Sequence, residues 1–192
     1  MLRMKSWLVI LLVLAATWLS QPAQGQEGKD SKVDLYGGYD YVHYTASPRI
    51  NGVPPSESEN ANGLSGQIQY NISNRLGAVA ELSGYALSRQ GRATTYQVSY
   101  LFGPRVNLRQ GRVTPFAQAL FGGFWVADGV TLGPASAFGT TMGGGIDIRV
   151  SKHIALRPAQ AEYFLTKLPD GNTNRQNNFR YGAGVILRVG GK

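Results

Sequence analysis

The chain of 192 residues has no cysteine, only two histidines and only 16% charged residues. Without cysteine there is no disulfide framework, so an exported fold must hold by its hydrogen-bond ladder and its packing. His43 and His153 stand far apart in the sequence, and with no thiolate beside them they offer no metal-ligand spacing. After the first twenty or so residues no segment approaches about 18 continuous apolar residues, the length that a membrane-spanning helix requires. Lysine is missing from every segment that reads as a strand, and no basic helix or aromatic-basic stacking platform is present. A nucleic-acid partner is therefore not expected. That holds despite a formal net charge of +8, which becomes +6 when Arg3 and Lys5 are removed (8 − 2). With 25 glycines, the composition fits neither a charged helical protein nor a disordered one.

The N-terminus is an export signal. Arg3 and Lys5 form a basic start, Trp7 to Leu14 an apolar core, and Ala23-Gln24-Gly25 a small-x-small cleavage site. Residues 1–25 read as a signal peptide, 26–32 as a polar tail and 33–190 as one domain. The alternative is an uncleaved N-terminal anchor, against which the short apolar run and the cleavage site both argue. No cysteine follows the apolar core, so a lipoprotein anchor is excluded.

The mature chain is organised by alternation, the period of a β-strand. The last segment, FRYGAGVILRVG over 179–190, is the clearest guide. Phe179, Tyr181, Ala183, Val185, Leu187 and Val189 form one unbroken apolar face, and Arg180, Gly182, Gly184, Ile186, Arg188 and Gly190 the other. Similar alternation predicts strands over 33–44, 64–73, 76–87, 94–107, 137–150 and 154–166. The segment 113–126, VTPFAQALFGGFWV, is apolar on both faces and its facing is open. The connections alternate in length: 45–63, 88–93, 127–136 and 167–178 are long, while 74–75, 108–112 and 151–153 are short.

Alternation tells which face is apolar but not where it points. The second face is rich in glycine, with Ser, Gln, Asp and Arg and no lysine. That composition suits a crowded interior, with the apolar face turned to lipid. The expected fold is all-β: a closed eight-stranded antiparallel transmembrane barrel with short periplasmic turns and longer extracellular loops. Closure is required because an open sheet edge in lipid leaves backbone groups unpaired. The competing fold is a soluble periplasmic ligand-binding barrel with the apolar face inside.

The phrases YLFGPRV, TPFAQALFGG, GGGIDIRVSKHIALRPAQAEYFL and FRYGAGVILRVG resemble the outer-membrane β-barrel domain family, related to the transmembrane domain of outer-membrane protein A and the opacity proteins. The likeness covers about residues 33–190. It implies a place in the cell outer membrane, contact with outer-membrane lipid, and insertion by the barrel assembly machinery. The family usually ends in an aromatic residue, whereas this chain ends Val189-Gly190-Gly191-Lys192. A peptidoglycan-binding domain after the barrel, as in two-domain relatives, is not expected.

An eight-stranded interior is just wide enough to be filled by side chains. The charged residues expected inside are Asp34, Asp40, Glu81, Asp147, Arg149, Arg180 and Arg188, with Arg157 and Glu162 as further candidates. Buried charges require partners, so they read as a structural ion-pair network. A gated conduit for ions or water is the other reading. Arg157 and Glu162 have opposite parity, so both face inward only if a bulge lies between them, and Pro158 is the natural place for it. The glycine run at 143–145 has no helix after it and is no phosphate loop; glycine beside a bulky neighbour is the simpler account. Lipid-modifying catalysis would need a nucleophile with histidine and carboxylate, and neither His43 near Tyr44 and Ser47 nor His153 near Ser151 has triad spacing. No catalytic, cofactor or metal site is expected. Loops 45–63 and 167–178 are the expected contacts for an external partner, in a structural or surface-interaction role. Aromatics such as Tyr39, Tyr70, Tyr100, Phe121 and Trp125 are expected toward strand ends, at headgroup level.

Overall fold

A computed structural model describes residues 31–46, 57–87, 95–127, 135–166 and 176–190. The expected signal peptide, most of the tail and the outer parts of the long loops lie outside the described residues. Eight antiparallel strands follow one another in chain order: β1 (Val33–Ala46), β2 (Glu57–Asn71), β3 (Leu76–Leu87), β4 (Thr95–Asn107), β5 (Val113–Ala127), β6 (Ala135–Arg149), β7 (Ile154–Thr166) and β8 (Gln176–Val189). β8 pairs back onto β1, from Val33 opposite Val189 to Tyr44 opposite Asn178, which closes the barrel. Each strand has 12 to 15 residues, more than the roughly 9–11 that cross a bilayer when tilted.

The pleat sorts side chains as the alternation predicts, and their accessibility decides the facing. Leu64 is 69% exposed and Leu82 63%, whereas Glu81 is 3% exposed and Arg180 1%. A soluble barrel would show the reverse. The apolar band is therefore the outer wall, facing lipid, and the charged face is the lumen. β5, whose facing the sequence leaves open, points Thr114, Phe116, Gln118, Leu120 and Phe124 inward, and Val113, Phe121 and Trp125 outward.

Several strand ends differ from the sequence reading, β1 running on to Ala46 among them. Residues 57–63 belong to β2 rather than to a loop, because they continue the ladder with β1 (Tyr41 opposite Asn62, His43 opposite Asn60). Backbone pairing decides there, and polar composition alone reads as a loop. Likewise 135–136 and 176–178 extend β6 and β8. Among the outward aromatics, Trp125, Phe138 and Phe179 gather toward the long-loop end and Tyr70 stands at the opposite end. Tyr39, Tyr100 and Phe121 sit nearer mid-strand than expected.

Two of the short turns repeat one device. In Ser73-Asn74-Arg75-Leu76 the Ser73 Oγ accepts from the backbone N–H of Arg75 and of Leu76, at 3.3 and 3.0 Å. In Ser151-Lys152-His153-Ile154 the Ser151 Oγ accepts from His153 and Ile154, at 3.3 and 3.1 Å. Both follow the side-chain-to-backbone pattern that makes serine a turn former. Gly111 turns the β4–β5 connection at a φ of 61°, where other residues are strained.

Interior glycines give room to large side chains. A Cβ on Gly145 would meet the Phe116 ring at 2.9 Å and the Ala159 carbonyl oxygen closer still. Gly139 has the same relation to Phe124, and Gly143 to Glu162. Backbone cannot step aside as a flexible side chain can. Gly145→Val is therefore expected to destabilise the barrel by about 1–3 kcal/mol. A lowered urea midpoint for the compact, unboiled gel band is the measurement.

Candidate functional site

The lumen is built in layers. Nearest the short turns, Asp34 on β1 accepts from Ser31 Oγ and from Asn71 Nδ2 (3.1 Å). Arg188 on β8 is opposite Asp34 in register and largely buried.

The next layer centres on Asp147 of β6. Arg105 Nη2 and Arg157 Nε both donate to it, the latter at 2.7 Å. Arg157 Nη1 also donates to Gln67 Oε1 and Gln160 Oε1, each at 2.8 Å. Phe116 packs against both guanidinium groups, with Arg105 Cζ 3.5 Å and Arg157 Cζ 4.4 Å from the ring centroid. The ring's negative face attracts both cations, which lessens the cost of holding them close together.

Above it lies the hub, Arg180 of β8. Its Nη1 donates to Glu81 Oε1 (2.5 Å) and Tyr85 OH (2.8 Å), its Nη2 to Glu81 Oε2 (3.0 Å), and its Nε to Glu162 Oε2 (2.7 Å). Asp40 Oδ2 stands 3.9 Å from Nη1. Gln118 donates to Glu162 Oε1 at 2.7 Å, and Ser83 to Glu81 Oε1 at 3.0 Å. Gln67 joins the layers by donating to Glu81 (2.6 Å) while accepting from Arg157.

Toward the long loops the charges give way to apolar side chains, with the neutral polar Gln97, Ser99, Thr141 and Asn178 buried among them. Val42, Leu101, Leu120, Phe124 and Phe164 have no accessible surface, and the rings of Phe124 and Phe164 meet edge to face at 4.7 Å. Tyr44 donates to Gln97 Oε1 at 2.8 Å in the same region.

Of the nine charged residues expected inside, the structure buries eight: Asp34, Asp40, Glu81, Asp147, Arg157, Glu162, Arg180 and Arg188. The exception is Arg149. Its parity points inward, but it is the last residue of β6, so its side chain reaches the rim. There it is exposed and its Nη2 donates to the Gly111 carbonyl at 2.7 Å. Arg157 and Glu162 share the lumen because Pro158 and Ala159 both face outward. Arg157 pairs with Gly184 and Gln160 with Gly182, which leaves one extra residue in β7. Arg105 is an additional member. Its signal lies in the sequence, since the alternation Gln97, Ser99, Leu101, Gly103 continues to it. The neutral bridges, Gln67, Tyr85 and Gln118, share the same inward parity but have no charge to mark them.

The two histidines stand at opposite rims. His43 Nδ1 is 2.7 Å from Asn60 Oδ1, and the Ser151 hydroxyl near His153 serves its own turn. Ser47, the other serine considered near His43, lies outside the described residues.

A family model described as "Outer membrane protein beta-barrel domain" matches residues 9–186. Among solved structures, neisserial surface protein A is similar at 17% identity and a TM-score of 0.61, over 81% of this chain and 97% of that one. OprG from Pseudomonas aeruginosa is similar at 13% identity and 0.58, over 84% and 97%. The attachment invasion locus protein Ail of Yersinia pestis is similar at 14% identity and 0.53, over 83% and 99%. No curated protein matches the sequence. These likenesses agree in the closed eight-stranded barrel and in its outer-membrane location.

Proposed function

We propose that this chain, which belongs to the outer membrane protein beta-barrel domain family and lies in the outer membrane, works as a closed barrel that holds its outer loops toward an external partner. One observation carries the reading: the lumen is filled. Arg180, Glu81 and Glu162 occupy one level and Arg105, Arg157 and Asp147 another, while Leu101, Leu120, Phe124 and Phe164 fill the level above with apolar side chains. An ion on that path would have to displace bonded charges and then pass closely packed side chains, with only neutral groups such as Gln97 and Thr141 to replace its hydration. The lumen therefore supplies rigidity, and recognition falls to the connections 47–56 and 167–175, the parts of the expected loops 45–63 and 167–178 that lie between the described strands. The pairing of His43 with Asn60 and the use of Ser151 in its turn favour this role over lipid modification.

The refolded barrel in planar bilayers is expected to give no stepwise conductance above the bare bilayer. Sustained unitary openings would favour the narrow-pore reading instead.

A further inference from the structure

The ten Lys and Arg residues among the described residues divide into two sets. Arg105, Arg157, Arg180 and Arg188 are buried in the lumen. The other six, Lys32, Arg75, Arg109, Arg112, Arg149 and Lys152, all stand at the short-turn rim. The seven described carboxylates do not balance them there. Asp34 stands at that end but is buried opposite the lumen's own Arg188. Asp40, Glu81, Asp147 and Glu162 are buried with Arg105, Arg157 and Arg180, and Glu57 and Glu59 begin β2 at the opposite end. The flanking segments 26–30 and 191–192 contribute Glu27, Lys29, Asp30 and Lys192, whose charges sum to zero.

The six cations are spread around the barrel. Lys32 precedes β1 beside the end of β8, Arg75 lies in the β2–β3 turn, Arg109 and Arg112 in the β4–β5 turn, and Arg149 and Lys152 at the β6–β7 turn. They form a ring rather than a patch on one side. The ring also lies at the edge of the lipid-facing wall: outward aliphatic residues Leu76, Val113, Val150 and Ile154 stand within one or two positions of these cations, and each is at least 40% exposed. Apolar side chains in the hydrocarbon fix the depth of their neighbours, so the cations stand at the height of the lipid headgroups. A protein partner would meet one side of the barrel, whereas a membrane surface meets all of it.

We propose that this cationic collar binds the anionic phospholipid headgroups of the leaflet that the short turns meet. Basic residues at a membrane boundary attract anionic lipid by short-range electrostatics, which salt screens. The collar thereby holds the barrel at one depth and enriches acidic lipid around its base.

The test uses the refolded barrel in phosphatidylcholine vesicles with trace spin-labelled phosphatidylglycerol or spin-labelled phosphatidylcholine, and reads the motionally restricted fraction of each label. The expected result is about two- to fivefold more restriction of phosphatidylglycerol. That preference should fall toward one in the triple variant Lys32→Gln, Arg112→Gln, Lys152→Gln and in 0.5 M salt, and should persist in Lys32→Arg, Arg112→Lys, Lys152→Arg. These three side chains are exposed, so the heat-shifted gel band should persist in both variants. Equal restriction of the two labels by the unsubstituted barrel would overturn the proposal, as would a preference that the glutamine variant keeps. If the glutamine variant does not fold, the salt titration of the unsubstituted barrel decides, and a preference indifferent to salt overturns it.

Discussion

Arg180→Met should cost the folded barrel about 3–5 kcal/mol, among the largest losses available to a single substitution here. The reason is the asymmetry of buried charge. Arg180 is 1% exposed and donates to both Glu81 and Glu162, with Asp40 close by. Methionine fills comparable space, so little packing is lost. What remains is a group of carboxylates in a low-dielectric lumen without their cation. The neutral donors Gln67, Ser83 and Gln118 still reach Glu81 and Glu162, but they cannot cancel two charges. The measurement is the urea midpoint of the heat-modifiable band in vesicles, converted with the transition slope.

A second variant separates unpaired charge from lost packing. Arg180→Met combined with Glu81→Gln and Glu162→Gln removes the charges together, and most of the stability should return, because a buried ion pair is worth little net of its desolvation. If the triple variant stays as unstable as the single one, the loss comes from shape and not from charge. Either way the lumen network acts as scaffold. Arg180 to Glu81 joins β8 to β3 and Arg157 to Gln67 joins β7 to β2 across the barrel, while Arg180 to Glu162 and Gln67 to Glu81 tie neighbouring strands. Such cross-braces resist shear of the ladder, and they hold the outer ends of the strands in place for the loops they present.

How far this was legible in the sequence depends on which physical signal each part leaves. Strand number follows from the two-residue period, which is strong in β8 and in the 64–71 part of β2 where outward residues are mostly apolar, and facing follows from the glycine-rich, lysine-free second face. β5 leaves no such signal. Phe116, Leu120 and Phe124 are apolar but inward, filling space above and beside the ion pairs, so both faces look alike. Only pairing to β4 and β6 resolves it. Polar strand ends such as 57–63 look like loop because water, not lipid, surrounds them and no apolar face is required. Arg149 shows the opposite limit: parity is right, but position at the strand end lets a long side chain leave the lumen. Arg105 is legible by parity, inside the strand predicted over 94–107. The partners of each charge are not legible, because they depend on which residues share a level across the barrel. That is set by strand stagger, not by spacing along the chain.

Inserting one alanine between Ala161 and Glu162 should be far more damaging than deleting Ala159, and the period of the strand explains why. Alternation has a period of two, so adding one residue to a regular ladder flips everything on one side of it to the opposite face. In the native strand Arg157 and Glu162 stand at an odd spacing, and both face the lumen because Pro158 and Ala159 face outward together and the bulge absorbs the extra residue. Deleting Ala159 takes out that extra residue. Arg157 and Glu162 then stand at an even spacing, both face inward on a regular ladder, and the deletion variant should keep the compact, unboiled gel band in vesicles. The inserted alanine has no bulge to absorb it. Turning Glu162 outward strands a carboxylate in hydrocarbon and takes a partner from Arg180 and Gln118. Turning Arg157 outward instead strands a guanidinium in lipid, at about 2–4 kcal/mol near the midplane, and removes a cation from Asp147. Both routes break buried pairs, so the expected result for the insertion is loss of the compact band. Pro158→Ala, which keeps the residue count, should fold, although a proline is favoured at this bulge because it has no N–H to leave unpaired. An insertion variant that folds with native stability would show that β7 absorbs a further residue at a second bulge, and a deletion variant that loses the band would show that the bulge itself, and not the parity it corrects, holds Arg157 and Glu162 in place.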